Sequence, residues 1–222
     1  MPLGWKLVKI NDVADVKGGK RVPKGMNLVT ENTGHPYIKA GNLKEGTVID
    51  DNIMFVTDEI LKQIKNYTVN CGDVYITNMG ACIGDYGIIP EKYHGANLTE
   101  NAVKLTNLKC NNRYLYYYIS SSICQSHIES LIASCTLGKL SIANIKSITF
   151  PLPPLSEQKE IVRLLDTLLE KSDRAKELAE NALENIDTLK KTILAKAFRG
   201  LLGTNRPEEA SSIELLKKVL EK

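Results

Sequence analysis

From Ile161 the apolar positions Leu165, Leu168, Ala175, Ala179, Ala182, Ile186, Leu189 and Ile193, with Ser172 completing the series, follow one another by alternating steps of four and three. That spacing is a heptad seam. No Pro or Gly interrupts Ser156 to Arg199, and most residues off the seam are strong helix formers. The pattern predicts one continuous helix of about 40 residues, roughly 60 Å long at about 1.5 Å per residue. Ser156 can cap it, Glu157 and Glu160 fall in its positive first turn, and Lys196 and Arg199 precede a stop at Gly200. Three alanines at the centre require any partner helix to approach closely there. Leu164, Leu169, Leu178, Leu183 and Leu194 lie beside or opposite the seam, more apolar surface than one partner covers.

Upstream the pattern changes to short alternating runs. Lys6 to Ile10 reads as a strand, Ile10 to Val16 as a short helix or turn, and Lys17 to Gly25 as a basic, glycine-rich loop. From Gly34 the chain reads strand, turn, strand, then a short helix across FVTDEILKQIKNYTV. NCGDVYITNMGACIGDYGIIP predicts two strands joined at Asn78 to Ala81, with glycines suited to bends in a curved sheet. A strand in ANLTENAVKLTNL and one helix across NNRYLYYYISSSICQSHIESLI follow. Consecutive aromatics on a helix face different ways, so Tyr114, Tyr116, Tyr117 and Tyr118 are expected to pack the helix on a sheet, hydroxyls at the rim, rather than form a stacking platform for single-stranded bases. A loop, a short helix and a strand lead to Pro151, Pro153 and Pro154, which stiffen the junction with the long helix. After Gly203 to Pro207, Ser211 and Glu214 offer a capping box to a short last helix. The expected fold class is α+β: a globular domain over 1–155 with a curved mixed sheet and packed helices, then a helical region over 156–222 with a long coiled-coil helix and a short C-terminal one.

Charge separates the same two parts. Residues up to Leu155 carry 16 Lys and Arg against 13 Asp and Glu, the remainder 13 against 13, so the whole excess of +3 lies on the globular part. This favours polyanions weakly. Cys71, Cys82, Cys110, Cys124 and Cys135 show no Cys-x-x-Cys spacing, and neither a disulfide framework nor a zinc knuckle is suggested. With no signal peptide and no long apolar span, the chain reads as cytoplasmic, with no membrane partner.

Motifs for catalysis are missing. Gly19-Lys20 is followed by Arg21 and lacks the spaced glycine of a phosphate loop. His35, His94 and His127 stand without metal-ligand spacing. Glu157-Gln158-Lys159 resembles the tail of a nuclease motif but begins a helix, where paired acids and a lysine should converge on magnesium from strand ends. The Pro-Pro at 153 and 154 lacks the Asn or Asp before it and the aromatic after it that an amino methyltransferase needs.

FPLPPLSEQKEIVRLLDTL resembles the sequence that opens the helical region in specificity subunits of type I restriction-modification enzymes. LGW at 3–5 resembles the opening of their target recognition domain, GDVYITNMGACIG at 72–84 its central strand pair, LGKLSIANIKSITFPLPPL the approach to the helix, LKKTILAKAFRGLL its end, and EEASSIELLKKVL the ending that follows. The resemblance implies a non-catalytic subunit that reads double-stranded DNA at a bipartite site and directs a methyltransferase subunit and a restriction/translocase subunit to it. S-adenosylmethionine is expected on the methyltransferase partner, with no cofactor or metal on this chain. The usual subunit carries two recognition domains and two long helices, whereas this chain has one of each, a half-length form. Large residues near both ends of the seam and alanines at its middle are compatible with antiparallel reversal, and the heptads alone allow in-register parallel pairing as well. The resemblance, in which two recognition domains sit at opposite ends of an antiparallel helical pair, implies an antiparallel homodimer through Ile161, Leu165, Leu168, Ala175, Ala179, Ala182, Ile186, Leu189 and Ile193. DNA contacts are expected from Lys17, Lys20, Arg21 and Lys24 in the basic loop, Lys39, Asn42 and Lys44 on the next turn, Asn78 between the paired strands, and Thr136 and Lys139 in the late loop. The competing reading is a scaffold or antagonist that docks the methyltransferase without reading DNA.

Overall fold

The computed structural model describes residues 2–134, 138–202 and 211–221. They form two compact units, residues 1–165 and 166–222. In chain order the elements are β1 (Lys6–Lys9), α1 (Ile10–Val13), β2 (Asp15–Gly18), β3 (Pro36–Ile38), a 3-10 turn (Ala40–Asn42), β4 (Leu43–Lys44), β5 (Thr47–Val48), β6 (Met54–Phe55), α2 (Asp58–Ile64), β7 (Val74–Thr77), β8 (Tyr86–Ile88), β9 (Asn97–Leu98), β10 (Ala102–Thr106), α3 (Asn112–Ser120), α4 (Ser122–Ala133), α5 (Ile142–Ser147), β11 (Thr149–Leu152), α6 (Leu155–Phe198) and α7 (Ser212–Leu220).

The α+β expectation holds, but in place of one curved mixed sheet the strands form several. An antiparallel sheet runs β2-β10-β7-β8, a second runs β6-β3-β9 with β3 and β9 parallel, and β4-β5 and β1-β11 pair separately. Alternation along β7 explains the layering. Val74 and Ile76 enter a main core with Ile10, Val16, Val103, Leu105, Leu115, Ile128 and Phe150, while Tyr75 enters a second core with Ile38, Leu43, Ile89 and Leu98. Val56, Ile60 and Ile64 seat α2 in a third. The Tyr75 hydroxyl donates to the Thr47 carbonyl at 2.6 Å, tying the β4-β5 hairpin beside the central sheet. A Cβ on Gly87 would lie 2.4 Å from that hydroxyl and from the Gly46 backbone, which is why no side chain fits there.

The expected single helix from Asn112 onward is two. Ser121 has an extended backbone, its amide donating to the Tyr118 carbonyl, and its hydroxyl accepts from the Cys124 amide at 3.3 Å to cap α4. Serine hydroxyls compete for helical backbone groups, and here that competition ends one helix and starts the next. Tyr114 and Tyr118, one turn apart, donate their hydroxyls to the Pro151 and Thr149 carbonyls of β11, as expected of tyrosines packing a helix on a sheet.

Helix α6 starts at Leu155, so Ser156 lies in its first turn instead of capping it. The first turn is bolted to the domain. Gln158, buried, accepts from the Asn111 amide at 2.8 Å and donates to the Pro153 carbonyl at 2.8 Å, and the Trp5 indole N–H donates to Glu157 at 3.0 Å. Val162 is buried and Ile161 packs partly against the main core. At the far end Gly200 has φ +71°, its amide donates to the Ala197 carbonyl and that of Leu201 to the Lys196 carbonyl, the paired bonds of a left-handed helix stop. Leu168, Leu178, Leu183, Ile186, Leu189, Ile193 and Leu194 are exposed. Among the described residues no helix is long and apolar enough to cross a membrane.

Candidate nucleic-acid interface

In the central sheet β2 and β7 run the same way, β10 and β8 the other, with Gly18 opposite Val103, Ala102 opposite Thr77, and Ile76 opposite Tyr86. The C-terminal ends of β2 and β7 and the N-terminal ends of β10 and β8 therefore share one end of the sheet. Three segments distant in sequence meet there: the start of the basic loop, the turn Leu98 to Asn101, and the turn from Asn78.

Backbone pairing holds them. The Gly19 amide donates to the Ala102 carbonyl at 3.1 Å and the Lys20 amide to the Leu98 carbonyl at 2.8 Å, while the Tyr37 hydroxyl donates to the Lys20 carbonyl at 2.8 Å. A Cβ at position 19 would fall 2.0 Å from the Thr99 carbonyl oxygen and 2.3 Å from that of Leu98, so glycine alone permits this approach. The Asn78 amide donates to the Asn101 carbonyl, and the Asn78 carbonyl accepts from Leu140, which carries neighbouring Lys139 to the same edge. The Thr99 amide donates to the Ile38 carbonyl, placing Lys39 next to the turn.

The expected DNA-contacting residues divide accordingly. Lys20, Arg21, Lys39, Asn78 and Lys139 gather around the 98–101 turn. Lys20 is exposed, its ammonium 5.6 Å from the Tyr67 ring centroid, and Lys139 is exposed. Lys17 lies on β2 itself, paired with Asp15 at 3.3 Å. Lys24 sits in the Pro23–Met26 turn, and Lys44 on β4 lines a shallow cavity with Asp85, Tyr86 and Tyr116. Asn42 is a correction: it is 1% exposed, accepts from the Lys39 amide at 3.0 Å and donates to the Asp51 carbonyl at 2.6 Å, so its amide is buried bracing the 3-10 turn against the segment after β5 and does not face DNA. Thr136 lies outside the described residues. Asn78 is also buried, but its side-chain oxygen has no partner, nor have those of Thr77 and Asn101 beside it.

Two acids went unnoticed in the sequence. Glu100 accepts from the Arg21 Nε–H at 2.5 Å and from the Thr99 hydroxyl at 3.2 Å. Burial works against its ionisation, but the Arg21 guanidinium and the hydrogen bonds outweigh it and hold the carboxyl below its ordinary value. Asp73 lies 3.7 Å from Lys104 of β10, whose ammonium donates to the Thr68 carbonyl; burial lowers the Lys104 pKa, against the pull of Asp73. The polar turn before β10 was legible, but nothing local tied it to Arg21, 79 residues away. Among the described residues no group of three or more His, Cys, Asp and Glu is placed to hold a metal ion.

The family described as type I restriction modification DNA specificity domain matches residues 2–185. The chain belongs to this family. The StySPI specificity subunit of Salmonella potsdam is 36% identical over 212 residues, 92% of this chain and 44% of that protein, and the EcoBI specificity subunit of Escherichia coli is 29% identical over 171 residues, 76% and 36%. This specificity-domain chain thus spans less than half the length of those relatives. Its fold is that of the HsdS subunit from Thermoanaerobacter tengcongensis, with TM-score 0.67 at 21% identity over 91% of this chain and 46% of that one. A chain from a study of complex assembly and conformational transition of the type I R-M system superposes with TM-score 0.73 at 22% identity, over 91% and 47%.

Proposed function

We propose that this specificity-domain chain is the DNA-reading part of a type I restriction-modification enzyme and does no chemistry of its own. The family match over 2–185 carries the proposal, and the basic sheet end supplies the surface. Lys20, Lys39 and Lys139 serve phosphates, and the turns between them face the groove. Its partners are double-stranded DNA, a methyltransferase subunit that binds S-adenosylmethionine, and a restriction/translocase subunit.

The α6 seam supports pairing of two copies, antiparallel. Folded about Glu177, it matches Ile161 with Ile193, Leu165 with Leu189, Leu168 with Ile186, Ser172 with Ala182, and Ala175 with Ala179. Each match sets an a position against a d position, the layering of antiparallel helices, and large faces large while small faces small. Such a dimer presents identical recognition domains by a two-fold axis and reads an interrupted inverted repeat. Leu164, Leu169, Leu178 and Leu183 flank the seam and remain for the methyltransferase.

DNA binding by the purified chain should weaken steeply as sodium chloride rises, and Lys20→Ala with Arg21→Ala should flatten the log–log salt slope by about 0.9 for each phosphate that is no longer neutralised. Reconstituted methylation with the methyltransferase subunit should modify inverted half-sites, and light scattering should give twice the chain mass. Unchanged DNA recognition in the double variant, a monomer at micromolar concentration, or modified halves unrelated in sequence would each defeat the corresponding part.

A further inference from the structure

Glu100 is an anion in the middle of the surface assigned to a polyanion. Arg21 pairs with it, Lys20, Lys39 and Lys139 lie on segments whose backbones meet at its turn or beside it, and a carboxylate there repels phosphate, so it does not serve the DNA backbone. Nor is it loosely placed. One oxygen is held by Arg21 and the other by the Thr99 hydroxyl, and Thr99, buried, is itself anchored through its amide to Ile38. The Arg21 side chain is 76% exposed and that of Glu100 26% exposed, so both reach solvent while paired with each other. Their bond uses the Nε–H, one of five guanidinium donors, and leaves the terminal amines as a fork.

In the major groove a guanine offers two acceptors, N7 and O6, which match that fork, and the cytosine paired with it offers one donor, the N4 amine, which a carboxylate accepts. A side-by-side donor fork and acceptor thus matches a G·C pair best, since an A·T pair places the adenine N6 donor between its two acceptors, N7 and the thymine O4, and offers no adjacent acceptor pair for the fork. We infer that Arg21 and Glu100 together read a single G·C base pair, Arg21 on the guanine and Glu100 on the cytosine amine, with Thr99 as the positioning residue for Glu100. The inference rests on the DNA-reading function proposed above and adds to it a residue pair and the base pair it selects. Holding the two side chains against each other before DNA arrives removes part of the ordering cost from the bound state.

The test is selection of bound molecules from a pool of random-sequence DNA duplexes, with the full chain, its Glu100→Gln variant and its Arg21→Ala variant, followed by sequencing. Glu100→Gln preserves side-chain size, and Arg21 is exposed, so both variants should remain folded with a cooperative melting curve, lowered only by the loss of the one partly exposed ion pair. The wild-type site should hold a fixed G·C pair, and both variants should relax that same base pair by about tenfold or more while the other positions keep their preference. Variants that retain every preference, or that relax two different base pairs, overturn the paired reading and leave DNA recognition standing. A wild-type chain that selects no sequence overturns both.

Discussion

Replacing Gln158 with leucine probes the anchor of the long helix. The side chain is 3% exposed and satisfies two backbone groups, the Asn111 amide that leads into α3 and the Pro153 carbonyl that leads into α6. Leucine has similar bulk and no polar atom, so the main loss is two buried groups stranded without partners, at about 1–3 kcal/mol each. Part is returned by the greater transfer energy of leucine, leaving a net destabilisation of about 2–4 kcal/mol. Against a typical total of about 5–15 kcal/mol this is large, and at about 2–4 °C per kcal/mol it lowers the melting temperature by roughly 4–16 °C. Urea unfolding followed by circular dichroism measures it, with the midpoint moving and the slope unchanged. Hydrogen exchange supplies an independent readout, because the Asn111 amide should lose protection even where α3 keeps it. A variant within about 0.5 kcal/mol of wild type, with Asn111 still protected, would refute the claim that this glutamine holds the junction.

Gly19→Ala puts a methyl group 2.0 Å from the Thr99 carbonyl oxygen, so the loop backbone must move off the sheet end; stability should fall by about 1–3 kcal/mol and DNA binding with it, a pairing of losses that Lys24→Ala should not reproduce. The Glu100 carboxyl, followed by NMR, should titrate below its ordinary value of 4.5 and return toward it in Arg21→Ala. Because its folded pKa is the lower one, the stabilisation it contributes is complete above the ordinary value and is lost as pH falls through the depressed one. Burial pushes the Cys110 thiol up to about 11 and that of Cys124 up to about 12, so neither should react with a thiol reagent at neutral pH until the domain unfolds, whereas exposed Cys71 should label in the native protein, slowed by its own raised pKa from the nearby Glu91.

Heptad periodicity from Ile161 to Ile193, with no Pro or Gly to interrupt it, determined α6, since helix formation over a long uninterrupted run depends on near neighbours. The strands of the β7-β8 pair and the stop at Gly200 were equally local. One helix became two at Ser121 because a serine can continue a helix or cap the next, and packing selects between these. Asn42 looked like a DNA-facing turn residue and is a buried brace, because the composition of a turn does not say which way its side chains close. Tertiary structure alone decided the candidate site. Gly19 meets Leu98 and Thr99, and Arg21 meets Glu100, across some 79 residues of chain that the sheet register brings together. Local propensity acts over a few residues, whereas strand pairing is chosen by how three cores fill at once. The charges of the basic loop were therefore legible in sequence, but the acid held among them was not.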